Sequence, residues 1–200
     1  MKKGRTHMTG ASGSFQLILD TAEALIQEKG CRQTTLQDII QRTGLSKGAI
    51  YHYVTGKDEL LGLVLKARIE LINSRFTEVV NSPQTSGLNG PLQLIAEGML
   101  RSTNPHDVTS KIFIYLLSQM DNEKVARIVR EVFDFTLMTC RKWIEVGQQH
   151  SAIPKTVDAA KVAEFLATYL YGMRVQRTIY PDQSGLTAQD LVAMMTRSLG

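Results

Sequence analysis

Two hundred residues, 43% hydrophobic and 21% charged, can bury a sizeable core without metal or disulfide help. Net charge is +4, and the two cysteines, Cys31 and Cys140, are too few and too far apart for a disulfide framework, so a reducing, cytoplasmic setting is expected. The apolar stretch Phe15–Leu19 meets Asp20, and the run Ile112–Met120 is about half a bilayer span, so neither a secretory signal nor a membrane association is expected.

Met1–Ser14 is basic at its start and rich in Gly and Ser, and reads as a flexible arm. From Phe15 onward the apolar residues keep helical spacing almost everywhere, and no period-2 alternation bounded by hairpin signals occurs, so the expected class is all-α. Phe15, Ile18, Leu19, Ala22, Leu25 and Ile26 line one helix face that Gly30 closes. Thr35 caps a second helix with Asp38 three residues on, and Gly44-Leu45-Ser46 breaks it. Ser46 caps a short third helix, Lys47 to about Val54. Lys57 opens a fourth, to about residue 81, of roughly 35 Å, long enough to link a domain at 15–56 to one at 57–200. Ser82–Pro91 reads as a loop, followed by helices at about 92–101, 106–119 and 122–149. Val157–Tyr180 is apolar on more than one face and must be covered on both sides, and a last helix runs over Thr187–Leu199. Ala159, Ala163 and Ala167 are small enough to let a second helix approach closely.

Two short helices joined by a Gly-containing turn form the pattern of a helix-turn-helix. The first 57 residues carry eight basic and four acidic side chains, whereas the remainder is balanced at 15 of each, so the positive excess lies where a phosphate-bearing partner would want it. Lys47-Gly48-Ala49 opens the third helix with small side chains, which lets the backbone approach a groove edge while Lys47 reaches a phosphate or a guanine. Tyr51, His52 and Tyr53 bring polar-tipped aromatics one turn later, with one tyrosine available for packing. Lys57 heads a helix whose N-terminal amides attract phosphate.

The segments Thr34-Thr35-Leu36-Gln37-Asp38-Ile39, Thr43-Gly44-Leu45-Ser46-Lys47-Gly48-Ala49-Ile50-Tyr51-His52-Tyr53 and Lys57-Asp58-Glu59-Leu60-Leu61 together resemble the TetR family of bacterial transcriptional regulators over residues 15–62. Ile40 and Val54 depart from the family's common Ala and Phe at packing positions. The resemblance implies a three-helix DNA-binding domain followed by a helical domain for ligand binding and dimerisation. It further implies that Thr35 and Gln37 lie near DNA, that Ser46, Lys47, Gly48 and Ala49 face the major groove, and that Tyr51, His52, Tyr53 and Lys57 meet mainly phosphates. A homodimer through the last two helices, a palindromic double-stranded operator and release by a small-molecule effector are implied as well.

Met99, Phe113, Met120, Phe135, Met138, Trp143, Tyr169 and Met173 are the candidates to line an apolar effector pocket, with Trp143 and Tyr169 offering polar tips. Arg174, set in an otherwise apolar helix, favours an anionic effector if it points inward. His7, His52, His106 and His150 have no ligand spacing, and no phosphate loop or nucleophile motif occurs, so no metal, cofactor or catalytic residue is expected. The alternatives are a helical protein-interaction module without DNA binding, and an α-helical enzyme, which would need paired carboxylates in a pocket.

Overall fold

The structure, a computed structural model, describes residues 7–81, 89–183 and 185–199, with side chains from Gly13 onward. Every regular element among the described residues is a helix: α1 (His7–Gln33), α2 (Leu36–Thr43), α3 (Lys47–Tyr51), α4 (Lys57–Val80), α5 (Asn89–Ser102), α6 (Val108–Leu117), α7 (Glu123–Gln149), α8 (Ala159–Ile179) and α9 (Ala188–Leu199). None of these is long and apolar enough to cross a membrane.

The local chemistry accounts for the element ends. Gly30 interrupts α1 with φ 80°, a conformation that costs a residue without Cβ little. At α2 the Thr35 hydroxyl accepts from the Asp38 amide (3.2 Å) while the Asp38 carboxylate accepts from the Thr35 amide (2.7 Å), a reciprocal capping box. Gly44, at φ 68°, ends the helix with its N–H on the Ile40 carbonyl. Thr187 and Asp190 repeat the box at α9, and Asp158 caps α8 by accepting from the amides of Ala160 and Lys161.

Several boundaries differ from the sequence reading, and α3 ends at Tyr51 where an end at about Val54 is expected. α1 begins at His7, so the later half of the expected 1–14 arm is helical, and residues 1–6 lie outside the described residues. Asn89–Pro91 of the expected loop belongs to α5, where a proline in the first turn forfeits no intrahelical hydrogen bond, and residues 82–88 are not among those described.

The chain divides into two compact units, Met1–Leu65 with Lys111–Val129, and Lys66–Ser110 with Arg130–Gly200. The expected division at 56/57 is therefore displaced: the first turns of α4, most of α6 and the start of α7 belong with α1–α3. In this first unit Ile18, Ile26, Ile39, Ile50, Leu60 and Ile112 are fully buried. Gly62 lets α7 come close, since a Cβ there would sit 2.5 Å from the Ile128 side chain. The core of the second unit draws on Phe76 of α4, Leu92 and Ile95 of α5, Ile144 of α7, Leu166 of α8 and Leu191 of α9, with α5 packed along α9.

The capping box has a measurable signature. The Lys29 ammonium, 2.8 Å from Asp38, together with the Thr35 hydroxyl and amide, holds the Asp38 carboxyl down at about 2. The unfolded value is about 3.9. A carboxyl depressed on folding contributes stability that is full above the unfolded value and is lost as pH falls through the folded one. Asp38→Asn is expected to flatten the fall of the thermal midpoint between about pH 4 and pH 2. A wild-type slope in that window would refute the assignment.

Candidate nucleic-acid interface and effector cavity

α3 has five residues, too few to stand alone. It is held by the Ser46 hydroxyl, which accepts from the Ala49 amide (3.2 Å), and by burial of Ile50 and, just beyond it, Val54. Tyr53 is half-buried with its ring 5.1 Å from that of Phe15, so it is the packing member of the tyrosine pair. Anchoring this inner side leaves Ser46, Lys47, Gly48, Tyr51 and His52 exposed and Ala49 half-buried. The Lys47 ammonium lies 5.5 Å from the centre of the Tyr51 ring.

Thr35 and Gln37 are also exposed, although the Thr35 hydroxyl is engaged with Asp38. Lys57 behaves differently from Lys47. Its ammonium donates to the Cys31 carbonyl (3.0 Å) and sits 5.0 Å over the Tyr115 ring of α6, so the charge expected on a phosphate is engaged inside the first unit. Lys111 of α6 donates to Gln27 of α1 at 3.1 Å. Burial pushes the Cys31 thiol up to about 11, which keeps it protonated.

The second unit contains a cavity of about 180 Å³. Its wall is built from Phe76 and Val80 of α4, Leu92 and Ile95 of α5, Cys140, Trp143, Ile144 and Gly147 of α7, Ile153 after α7, Leu166 of α8, and Met195 and Leu199 of α9. Among the described residues no Asp, Glu, Lys or Arg lines it. The titratable side chains on its wall among the described residues are His150 and Cys140, whose thiol burial pushes up to about 12. An apolar cavity of roughly 150 Å³ holds a benzene ring, so this one suits a single substituted ring or an alkyl group of that bulk.

Of the nine pocket candidates, Trp143 alone lines this cavity. Its indole N–H is already donated to Asn73 (3.0 Å), and its face lies 5.3 Å from Phe76. Phe113 is buried and Met120 exposed, both in the first unit. Met138 is 58% exposed, Phe135 half-buried, and Tyr169 stacks on Phe165. Met99 and Met173 pack in the core. Arg174 does point inward, at 6% exposure, but not into the cavity: its Nε donates to the Ser102 carbonyl (3.0 Å) and its guanidinium lies 5.5 Å from the Tyr171 ring. The anionic expectation tied to this residue therefore loses its basis in the cavity. Helical spacing identified inward faces, but which inward residues border a void depends on how the helices meet. The one signal available in sequence was the pairing of Gly147 with Ile153, where the absent side chain makes room for the loop that closes the wall: a Cβ at Gly147 would sit 2.5 Å from Ile153.

Residues 18–64 match the sequence model of the TetR family of bacterial regulatory proteins. The repressor KstR2 of Rhodococcus jostii (strain RHA1) is 31% identical over 74 residues, which is 37% of this chain and 36% of that protein. The matched region spans about a third of the length of the first curated relatives. Among solved structures, a protein from Syntrophomonas wolfei described as a TetR-family regulator superposes with a TM-score of 0.65 at 20% identity, covering 94% of this chain and 96% of that one. The fatty acid regulator FadR of Bacillus subtilis, in complex with stearoyl-CoA, gives 0.62 at 18% identity over 92% and 95%. At these identities the likeness is one of fold.

Trp143 is the chain's single tryptophan and stands in the cavity wall, so its fluorescence reports occupancy. Toluene is expected to change Trp143 emission saturably, benzoate to do so only at far higher concentration, and Arg174→Ala to leave the toluene midpoint unchanged. A stronger response to benzoate than to toluene would contradict the neutral cavity.

Proposed function

The chain belongs to the TetR family of bacterial regulatory proteins, and from that premise we propose that it is a cytoplasmic, homodimeric repressor that holds a palindromic double-stranded operator through α3 and leaves it when a small neutral apolar molecule fills the cavity. The observation that carries the DNA reading is Gly48. It is exposed, its φ is not positive, and a Cβ there would meet nothing nearer than the Ser46 hydroxyl at 4.0 Å. Nothing among the described residues requires a glycine at this position. A surface that must come close to a nucleic-acid backbone does, and Lys47, Ser46, Tyr51 and His52 surround it with the donors that phosphates and base edges accept. Thr35 and Gln37 extend that surface at the start of α2.

Dimerisation is read from α8. Phe165, Thr168, Gly172, Val175 and Ile179 are exposed at alternating steps of three and four residues, and Phe165 and Ile179 are 54% and 61% exposed. Met194 of α9 is exposed too. An apolar stripe of this kind on a single protomer suits a twofold partner presenting the same stripe. The small residues expected at the interface, Ala163 and Ala167, instead have 0% exposure within the protomer. The helix thus uses its alanines inward and its larger apolar residues outward.

The effector acts by differential affinity for the state that does not bind DNA. Its cavity is bounded by α4, which begins at Lys57 in the first unit, and by α9, which carries Met194. Two symmetric heads fit successive major grooves only at about 34–36 Å, so a small change in their separation ends binding.

Selection from a randomised duplex pool is expected to recover inverted repeats retained in a salt-dependent manner. Lys47→Ala should lower the slope of log affinity against log salt by about 0.9, the value for one lost phosphate contact. Lys57→Ala should lower it by clearly less and reduce the thermal midpoint instead, because its ammonium serves Cys31 and Tyr115. No retention on any duplex would favour the protein-interaction alternative.

Phe165→Glu should convert the dimer to monomer in sedimentation at micromolar concentration while the helical circular dichroism persists. A dimer that survives this change would place the interface off α8.

A further inference from the structure

On the second unit, away from the cavity residues, α4 and α5 form a groove of about 100 Å³. Arg68, Leu71, Ile72 and Arg75 of α4 face it at helical steps, and Leu94, Glu97, Gly98 and Arg101 of α5 answer at the same steps. The floor is apolar. A Cβ at Gly98 would lie 3.3 Å from the tip of Ile72, so the missing side chain lets that isoleucine form the base, and Leu71 stands 42% exposed beside it.

The charges around this floor are unequally satisfied. Glu97 accepts from Gln93 at 2.9 Å, and Asp107, at the groove's end, accepts from the amide and hydroxyl of Thr109; both keep their negative charge, so the described lining sets three guanidiniums against two carboxylates. Arg68 has a partner. Arg75 and Arg101 are exposed, and their guanidiniums make no hydrogen bond or ion pair among the described residues. Two uncommitted guanidiniums flanking an apolar floor are complementary to one chemistry. A guanidinium presents a planar fork of donors to an oxyanion, and the floor takes hydrocarbon.

We propose that the groove between α4 and α5 is a second small-molecule site, distinct from the neutral cavity, and that it takes an amphiphilic anion. The anionic head sits on Arg75 and Arg101, and a short hydrocarbon tail lies over Leu71, Ile72 and Leu94. The two sites divide ligands by charge: a neutral ring has no reason to prefer the guanidiniums, and an anion entering a cavity with no Lys or Arg among its described lining residues pays a large desolvation cost.

The test is calorimetric titration of the full chain, without DNA, with hexyl phosphate, hexanoate, hexan-1-ol and methyl phosphate, with Trp143 emission followed in parallel. At least one of the two six-carbon anions is expected to bind with toluene present at saturation and without altering Trp143 emission. Hexan-1-ol and methyl phosphate, which carry only the tail or only the head, should bind at least about tenfold more weakly. Arg75→Gln and Arg101→Gln, both at exposed positions and expected to keep the wild-type thermal midpoint, should each weaken the anion by about tenfold, the loss of one charge-assisted contact. The ratio of hexyl phosphate to hexanoate affinity identifies the head that the guanidiniums prefer. The proposal is overturned by any of four results: no binding of either anion to the wild-type chain, equal affinity for hexan-1-ol, displacement by toluene, or indifference to both glutamine variants. Because no operator is used, its failure and the failure of the repressor reading are told apart.

Discussion

A helix of five residues has no stability of its own, and the design of the first unit follows from that constraint. α3 is fixed by a cap at one end, by the burial of Ile50 in its middle and of Val54 beyond it, and by Tyr53 against Phe15. Each of these anchors points inward. What remains outside is polar, small or cationic, and this residue set is the surface on which the proposed DNA reading rests. Val54, smaller than the phenylalanine common in the family, is 2% exposed, and half-buried Tyr53 adds aromatic bulk beside it.

Within the same unit the long cationic side chains are divided between two uses. Lys47 stays at the surface over Tyr51, whereas Lys57 and Lys111 fasten α1 and the start of α4 to α6 through Cys31, Gln27 and Tyr115. An ammonium that donates to a backbone carbonyl and rests on an aromatic face has exchanged its hydration for fixed partners. It is then a structural element first. The attachment of α6 to the first unit, which moved the boundary away from residue 56, rests on these contacts and on the burial of Ile112 and Leu116.

In the second unit the governing fact is where charge is placed. Arg174 is enclosed at the corner where α5 gives way to α6, held by the Ser102 carbonyl and the Tyr171 ring. Burial pulls its pKa down, and Tyr171 and Asp107 act in the opposite direction. Tyr171 in turn shares a hydrogen bond with Thr136 of α7 and stacks on Phe133. A buried guanidinium with such neighbours ties three helices together and is not available to a ligand in the cavity. The cavity wall carries no Asp, Glu, Lys or Arg among the described residues, whereas Arg75 and Arg101 line the α4–α5 groove.

Much of this was legible in the amino-acid sequence because it is local. The capping box at Thr35 and Asp38, the stops at Gly30 and Gly44, the cap at Ser46 and the small residues after it depend on neighbours within four positions, and the helical periods of α4 to α9 follow from apolar spacing. The all-helical class and the helix-turn-helix surface were determined at that level. Which methionines and aromatics border the cavity was not, because periodicity tells inside from outside but not which inward side chains a neighbouring helix leaves uncovered. Met99 and Met173 meet packed neighbours while Met195 and Leu199 meet a void, although all four are buried and apolar. The engagement of Lys57, the inward use of Ala163 and Ala167 and the destination of Arg174 were likewise decided by tertiary structure. Each depends on a partner tens of residues away or on a packing angle that no short stretch of chain encodes.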